Sequence, residues 1–132
     1  MVNFVFILML LFHIIDDFVL QPICLSKLKQ RAYWENLSQK DLGVPLDSTK
    51  YKHDYIVGLI MHALSWSIMI MLPIIFLCPE HAEHGCVWVF VIANAIVHGI
   101  VDHAKANLNK LNLVEDQTLH FIQLVATYLI IF

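Results

Sequence analysis

Long apolar runs alternate with polar connections along the chain. A membrane-spanning helix needs about 20 mostly apolar residues. Four stretches approach that length: 2–24, 55–77, 86–103 and 116–132. The first carries internal charges and has neither a basic leader nor a clear small-residue cleavage site, which argues against a cleavable signal peptide. The connection over 26–54 is long and polar, 79–85 ("PEHAEHG") is a short acidic turn, and 104–115 is asparagine-rich. The pattern predicts one all-α domain over 1–132, a polytopic membrane protein built as a bundle of four transmembrane helices. Within 26–54, "KLKQRAYWENLSQK" reads either as a helix on the membrane surface or as a solvated loop. Gly43 and Pro45 break any helix there.

Charge orients this scheme. All 8 Lys and Arg residues fall in the first and third connections: Lys27, Lys29, Arg31, Lys40, Lys50, Lys52, Lys105 and Lys110. The positive-inside rule then puts both termini outside and the basic connections in the cytoplasm, with Trp88 and Tyr55 as interfacial anchors. Composition agrees: the chain is 59% hydrophobic and 14% charged, against about 45–50% and about 25% in soluble domains. A bacterial or phage-infected inner membrane is the expected location. No basic surface suggests nucleic-acid binding. Cys24, Cys78 and Cys86 have no metal-binding spacing; Cys78 and Cys86 would bridge only in an oxidising compartment.

The polar residues inside the apolar runs carry the chemistry. His13, Asp17 and Gln21 are spaced by four; so are Asn94, His98 and Asp102; so are Asp116 and His120. Residues at i and i+4 share one helix face. The second run adds His62, and Gln117 lies beside Asp116. On a regular helix Asp16 points about 100° away from Asp17 and stands off the stripe. At 1.5 Å per residue, His62, His98, His120 and Asp17 lie roughly 6–13 Å from the cytoplasmic helix ends. The four stripes therefore converge on one layer.

Ionisable groups at that depth each cost a few kcal/mol, about 2.5–3.5 on insertion scales, and persist when they satisfy one another inside a bundle. A single His–Asp pair is explained by helix packing alone. Several pairs in one layer also suit Zn²⁺, Mn²⁺ or Fe²⁺, which accept imidazole and carboxylate ligands. The candidate ligands are His13, Asp17, His62, His98, Asp102, Asp116 and His120, enough for one or two ions, with Gln21, Asn94 and Gln117 in supporting positions. His53, His81, His84 and His103 read as solvated, and Trp66 as packing.

"HIIDDFVLQ", "HALSW", "HGIVDHAK" and "DQTLHF" resemble, in order, the motifs of a family of small polytopic membrane proteins from bacteria and phages, known as a domain of unknown function. The resemblance covers the four apolar runs and omits the first connection. It departs at Trp66, where the family often has a second histidine, and at Asp16, where it has a small or apolar residue. A looser similarity links the motifs to membrane-bound metal-dependent hydrolases. The resemblance implies a shared polar site and supplies no reaction.

Three functions remain open. The first is a metal-dependent hydrolase acting on a phosphoester or ester of a membrane lipid at the inner leaflet. Its nucleophile would be a water activated by the ion, and Asp16, Asp17 or Asp102 would serve as general base. The second is a non-enzymatic interaction protein, such as a phage-type modifier of the host, with a structural metal. The third is a proton or cation conductor, which needs a polar path to the outer face. The small size makes a homodimer plausible.

Overall fold

The computed structural model describes residues 2–21, 23–36, 51–82 and 86–132. Among them every regular element is a helix. Helix α1 spans Val2–Ile14 and continues without interruption as a π-helical segment over Ile15–Leu20. Two short helices follow, α2 (Ile23–Leu28) and α3 (Arg31–Glu35). Helix α4 (Asp54–Leu77), the four-residue α5 (Pro79–Ala82), α6 (Cys86–Ala106) and α7 (Leu113–Ile131) complete the chain. The start of the basic connection is thus two helical pieces. The Gly43–Pro45 break, Lys40, Lys50 and His84 lie outside the described residues, as do the side chains of Cys24 and Cys86.

Three helical stretches, Asn3–Leu20, Asp54–Leu77 and Val87–Ala106, are long and apolar enough to cross a membrane. Helix α7 is not among them: its first half carries Glu115, Asp116, Gln117 and His120, with Gln123 just beyond. It still packs against α6 and α1, while α4 packs against both α1 and α6. The residue distribution inverts that of a soluble protein. His98 and His120 have no exposed surface, whereas Ile100 is 64% and Ile122 56% exposed. Charged residues in a soluble domain are almost never fully buried unless paired; here many large apolar side chains face outward while a set of His and Asp side chains is buried.

The interior has two layers. Val5, Met9, Trp66, Ile70, Met71, Ile74, Val87, Val91 and Leu124 form an apolar core at one end. The His/Asp layer lies beneath it, toward the end where Leu20, Asp54, Ala106 and Leu113 meet. The turn into α7 is set by asparagines. Asn109 adopts φ 52°, a left-handed conformation that asparagine tolerates better than most residues. Asn112 caps α7: its side chain accepts from Glu115 N at 3.0 Å, and the Glu115 carboxylate accepts from Asn112 N at 2.9 Å. That reciprocal pair satisfies donors that the first helical turn leaves unbonded.

The end of α2 is clamped to the bundle. Trp34 Nε1 donates to Leu28 O at 2.8 Å, Asn107 Nδ2 donates to Lys29 O at 3.1 Å, and Asn107 Oδ1 accepts from Arg31 N at 2.6 Å. On the opposite side Gly58 of α4 allows close approach: a Cβ there would stand 2.8 Å from the Leu28 carbonyl carbon and oxygen. Backbone cannot yield as a flexible side chain can. Gly58→Ala is therefore expected to destabilise the protein by about 1–3 kcal/mol, the usual cost of overpacking, visible as a lowered apparent unfolding midpoint in detergent. An unchanged midpoint would show that the α2–α4 contact is looser than described.

Candidate metal centre

The π segment decides what α1 contributes. Winding i→i+5 instead of i→i+4 makes each residue lag the α-helical register, so neighbours diverge less. Asp16 and Asp17 both face the bundle: Asp16 is 2% exposed, and the Asp17 side chain is 8% exposed. The regular-helix expectation that Asp16 stands off the stripe is corrected here. Its Oδ1 accepts from Ser65 Oγ at 2.6 Å, and its Oδ2 lies 3.8 Å from His62 Nδ1.

Asp102 is the hub of the layer. Its Oδ2 is 3.3 Å from His62 Nε2 and 3.9 Å from His98 Nε2; its Oδ1 is 3.4 Å from His120 Nε2. His62 Nε2 also lies 3.5 Å from Asp17 Oδ1 and 3.1 Å from His98 Nε2. His120 Nε2 is 3.4 Å from Asp116 Oδ1. Gln117 Nε2 bridges the two carboxylates, donating to Asp17 Oδ2 at 3.1 Å and to Asp116 Oδ2 at 3.2 Å.

Two overlapping groups among the described residues could hold a metal ion: Asp17, His62 and His98, and His98, Asp102 and His120. Within each, the ligand atoms lie no more than 4.8 Å apart. Several polar atoms in and beside these groups lack any hydrogen bond. Asp17 Oδ1, Asp116 Oδ1, both nitrogens of His120 and His98 Nδ1 are buried and unpartnered. Leaving buried polar atoms unbonded costs about 1–3 kcal/mol each, and native proteins contain few of them. Their concentration in one layer suits an ion, which accepts lone pairs from imidazole and carboxylate together.

The remaining sequence candidates sit around these groups. His13 lies outside both: its Nδ1 accepts from Trp66 Nε1 at 2.7 Å, and it stands 3.8 Å from Asp17 Oδ2. Asp116 contacts His120 from outside the two groups. Gln21 lines the cavity at the mouth of the layer. Asn94 sits one turn above His98 and accepts from Gln123 Nε2 at 2.8 Å and Thr127 Oγ1 at 2.9 Å. His103 is stacked on Tyr55 with ring centroids 6.1 Å apart.

Three contributors escaped sequence reasoning. Trp66 does more than fill space: besides bonding His13, its ring stacks on His98 at 4.3 Å, and His98 stacks on His120 at 4.0 Å. The available signal was its position four residues after His62, on the same face. Lys29 and Lys105 read only as basic flanks on the cytoplasmic side, able to attract anionic headgroups. Instead Lys29 Nζ donates to Asp102 Oδ2 and Lys105 Nζ to Asp116 Oδ2, each at 2.6 Å. No local pattern announces Lys29, because its partner is 73 positions away.

A cavity of about 160 Å³ opens from the layer toward the basic end, lined in part by Asp17, Gln21, Lys29, Asp102, Lys105 and Gln117. A larger groove of about 510 Å³ between α4 and α6 is apolar and open to the outside; it has no part in the polar layer. No family model, curated protein or solved structure matches this chain. Fold and site together define an all-helical protein with three helices long and apolar enough to cross a membrane and a buried His/Asp cluster able to hold a metal ion.

Trp66→Phe keeps an aromatic ring over His98 and removes the donor to His13. The buried Nδ1 acceptor then has no partner, at a cost of about 1–3 kcal/mol. Thermal unfolding of the detergent-solubilised variant should show the loss; wild-type stability would mean that another donor replaces the indole.

Proposed function

We propose that this chain is a four-span membrane protein, with both termini outside, that hydrolyses a phosphoester in the inner headgroup layer using a divalent ion such as zinc, manganese or iron. The observation that carries the reading is the buried His/Asp layer, several of whose polar atoms have no hydrogen-bond partner, opening onto a cavity lined by Lys29 and Lys105. Helix α7 supplies the fourth span. Its polar half lies against Asp102 and Gln117's partner Asp17, where the bundle shields it from lipid. His98 belongs to both candidate groups, which favours one ion over two.

An ion at His98, Asp102 and His120 would supply Lewis-acid polarisation of a water and of a phosphoryl oxygen. Asp17 then stands beside it with Oδ1 unpartnered and serves as general base. It takes a proton from the attacking water as the new P–O bond forms and the ester P–O bond breaks, and returns that proton to the leaving oxygen. Asp16 takes a supporting role. It lies on the Nδ1 side of His62, where a carboxylate fixes the orientation of a ring whose Nε2 faces Asp17 and Asp102. The packed apolar core beyond Trp66 disfavours a conduction path to the far face.

Metal analysis of the purified protein after zinc loading should give roughly one ion per chain, and His98→Ala should abolish it. Asp17→Asn should keep the ion and lower hydrolysis of phosphatidylglycerol in mixed micelles by about 10²–10⁴-fold. Near-zero metal in the wild type would sink the proposal. Full metal with equal turnover in both proteins would leave a structural ion in an interaction protein.

A further inference from the structure

The charges at the cavity mouth present a conflict. Lys29 Nζ and Lys105 Nζ each sit 2.6 Å from a carboxylate oxygen, Asp102 Oδ2 and Asp116 Oδ2. Both carboxylates also face a nitrogen that would bind the ion: Asp102 Oδ1 and Asp116 Oδ1 each lie 3.4 Å from His120 Nε2. A divalent cation among these atoms takes over neutralisation of the carboxylates and repels both ammonium groups at short range through a partly desolvated medium. The lysines then need other acceptors.

They have little freedom to withdraw. Only 12% of the Lys29 side chain is exposed, against 32% for Lys105. The Lys29 backbone is held by the Asn107 amide and by the close approach of Gly58 to the Leu28 carbonyl. Its ammonium can swing, but only within the space at the mouth. That space exists. A second cavity of about 350 Å³ is lined by Gln21, Lys29, Gln30, Lys105 and Asn109, with Asp102 at its floor. Gln21 Nε2 is buried and finds no acceptor among the described residues. Two ammonium groups and an unsatisfied amide donor converging on one space define an oxyanion receptor. Its position also selects the ligand: Lys105 is in the last turn of a helix long and apolar enough to span, and Lys29, just past the end of the short α2, reaches Asp102 near that same helix end, at headgroup depth in the proposed topology.

We propose that Lys29, Lys105 and Gln21 form a phosphate subsite that is switched on by the metal. Without an ion the lysines neutralise Asp102 and Asp116; with one, they turn to a phosphate oxyanion, either of a lipid headgroup or free in solution. The inference rests on the metal-site reading and adds to it a substrate-recognition role for residues outside the ligand set.

The test uses the full chain in maltoside micelles, which contain no phosphate. Inorganic phosphate is titrated calorimetrically into zinc-loaded and chelator-stripped protein, and metal content is measured on the same samples. The zinc-loaded wild type should bind phosphate at least tenfold more tightly than the stripped protein. Lys29→Gln and Lys105→Gln should each weaken binding at least tenfold at unchanged zinc content. Lys29→Arg should recover most of it, and Lys110→Gln, which alters an exposed residue away from the cavity, should match wild type. Lys105, being more exposed, gives a readable variant even if Lys29→Gln folds poorly. Repeating the titration with phosphatidylglycerol in the micelles separates the sources. Competition by the lipid identifies the headgroup as ligand and its absence identifies free phosphate; both outcomes retain the subsite. Equal phosphate affinity in the zinc-loaded wild type and both glutamine variants, or in loaded and stripped protein, overturns the inference while leaving the metal site intact. Failure to take up zinc overturns both, and the metal measurement records that separately.

Discussion

The rest of the interior is arranged around one carboxylate. Asp102 is 3% exposed and has His62, His98 and His120 within 3.9 Å and Lys29 at 2.6 Å. An isolated ionised carboxylate cannot be sustained in such a place; it must be paired, coordinated or neutralised. Each neighbouring element meets that requirement from a different direction. Helix α4 brings His62 and α7 brings His120. Helix α6 supplies His98 one turn before Asp102, and the clamp on α2 delivers Lys29. The short α2–α3 region is therefore part of the site's electrostatics as much as a surface connection.

The same constraint accounts for the irregular stretch of α1. On a regular helix consecutive aspartates would diverge by about 100°. The π segment brings both inward, where Ser65 satisfies Asp16 and Gln117 satisfies Asp17. Wide helical turns of this kind recur at functional sites. Above the layer, the Trp66–His98–His120 stack separates the ionisable groups from the apolar core. Below it, lysines and amides line the way out. The site is closed by the apolar core on one side and opens into the cavity on the other.

Much of this was legible in the sequence because the i, i+4 interval survives wherever the helix is regular. Asn94, His98 and Asp102, like Asp116 and His120, lie on one face as their spacing requires. The all-helical class and three long apolar helices follow from run length alone. Asp16 was misplaced because its direction was projected at 3.6 residues per turn onto a segment that does not wind that way. Lys29 was invisible for a different reason: its role arises from a tertiary contact set by Gly58 and Asn107, neither of which is periodic with it. Trp66 was read as packing because sequence shows ring size and not the partner of its N–H. The polar character of α7's first half, which weakens it as a span by composition, is what furnishes His120 and Gln117.

X-ray absorption at the zinc edge of the loaded, full-length protein tests the central claim most directly. A first shell of nitrogen and oxygen alone, with the outer scattering of at least two imidazoles and its loss in His98→Ala, is the predicted result. A shell containing sulfur, or one without imidazole scattering, would place the metal away from the Asp102 layer and contradict the account.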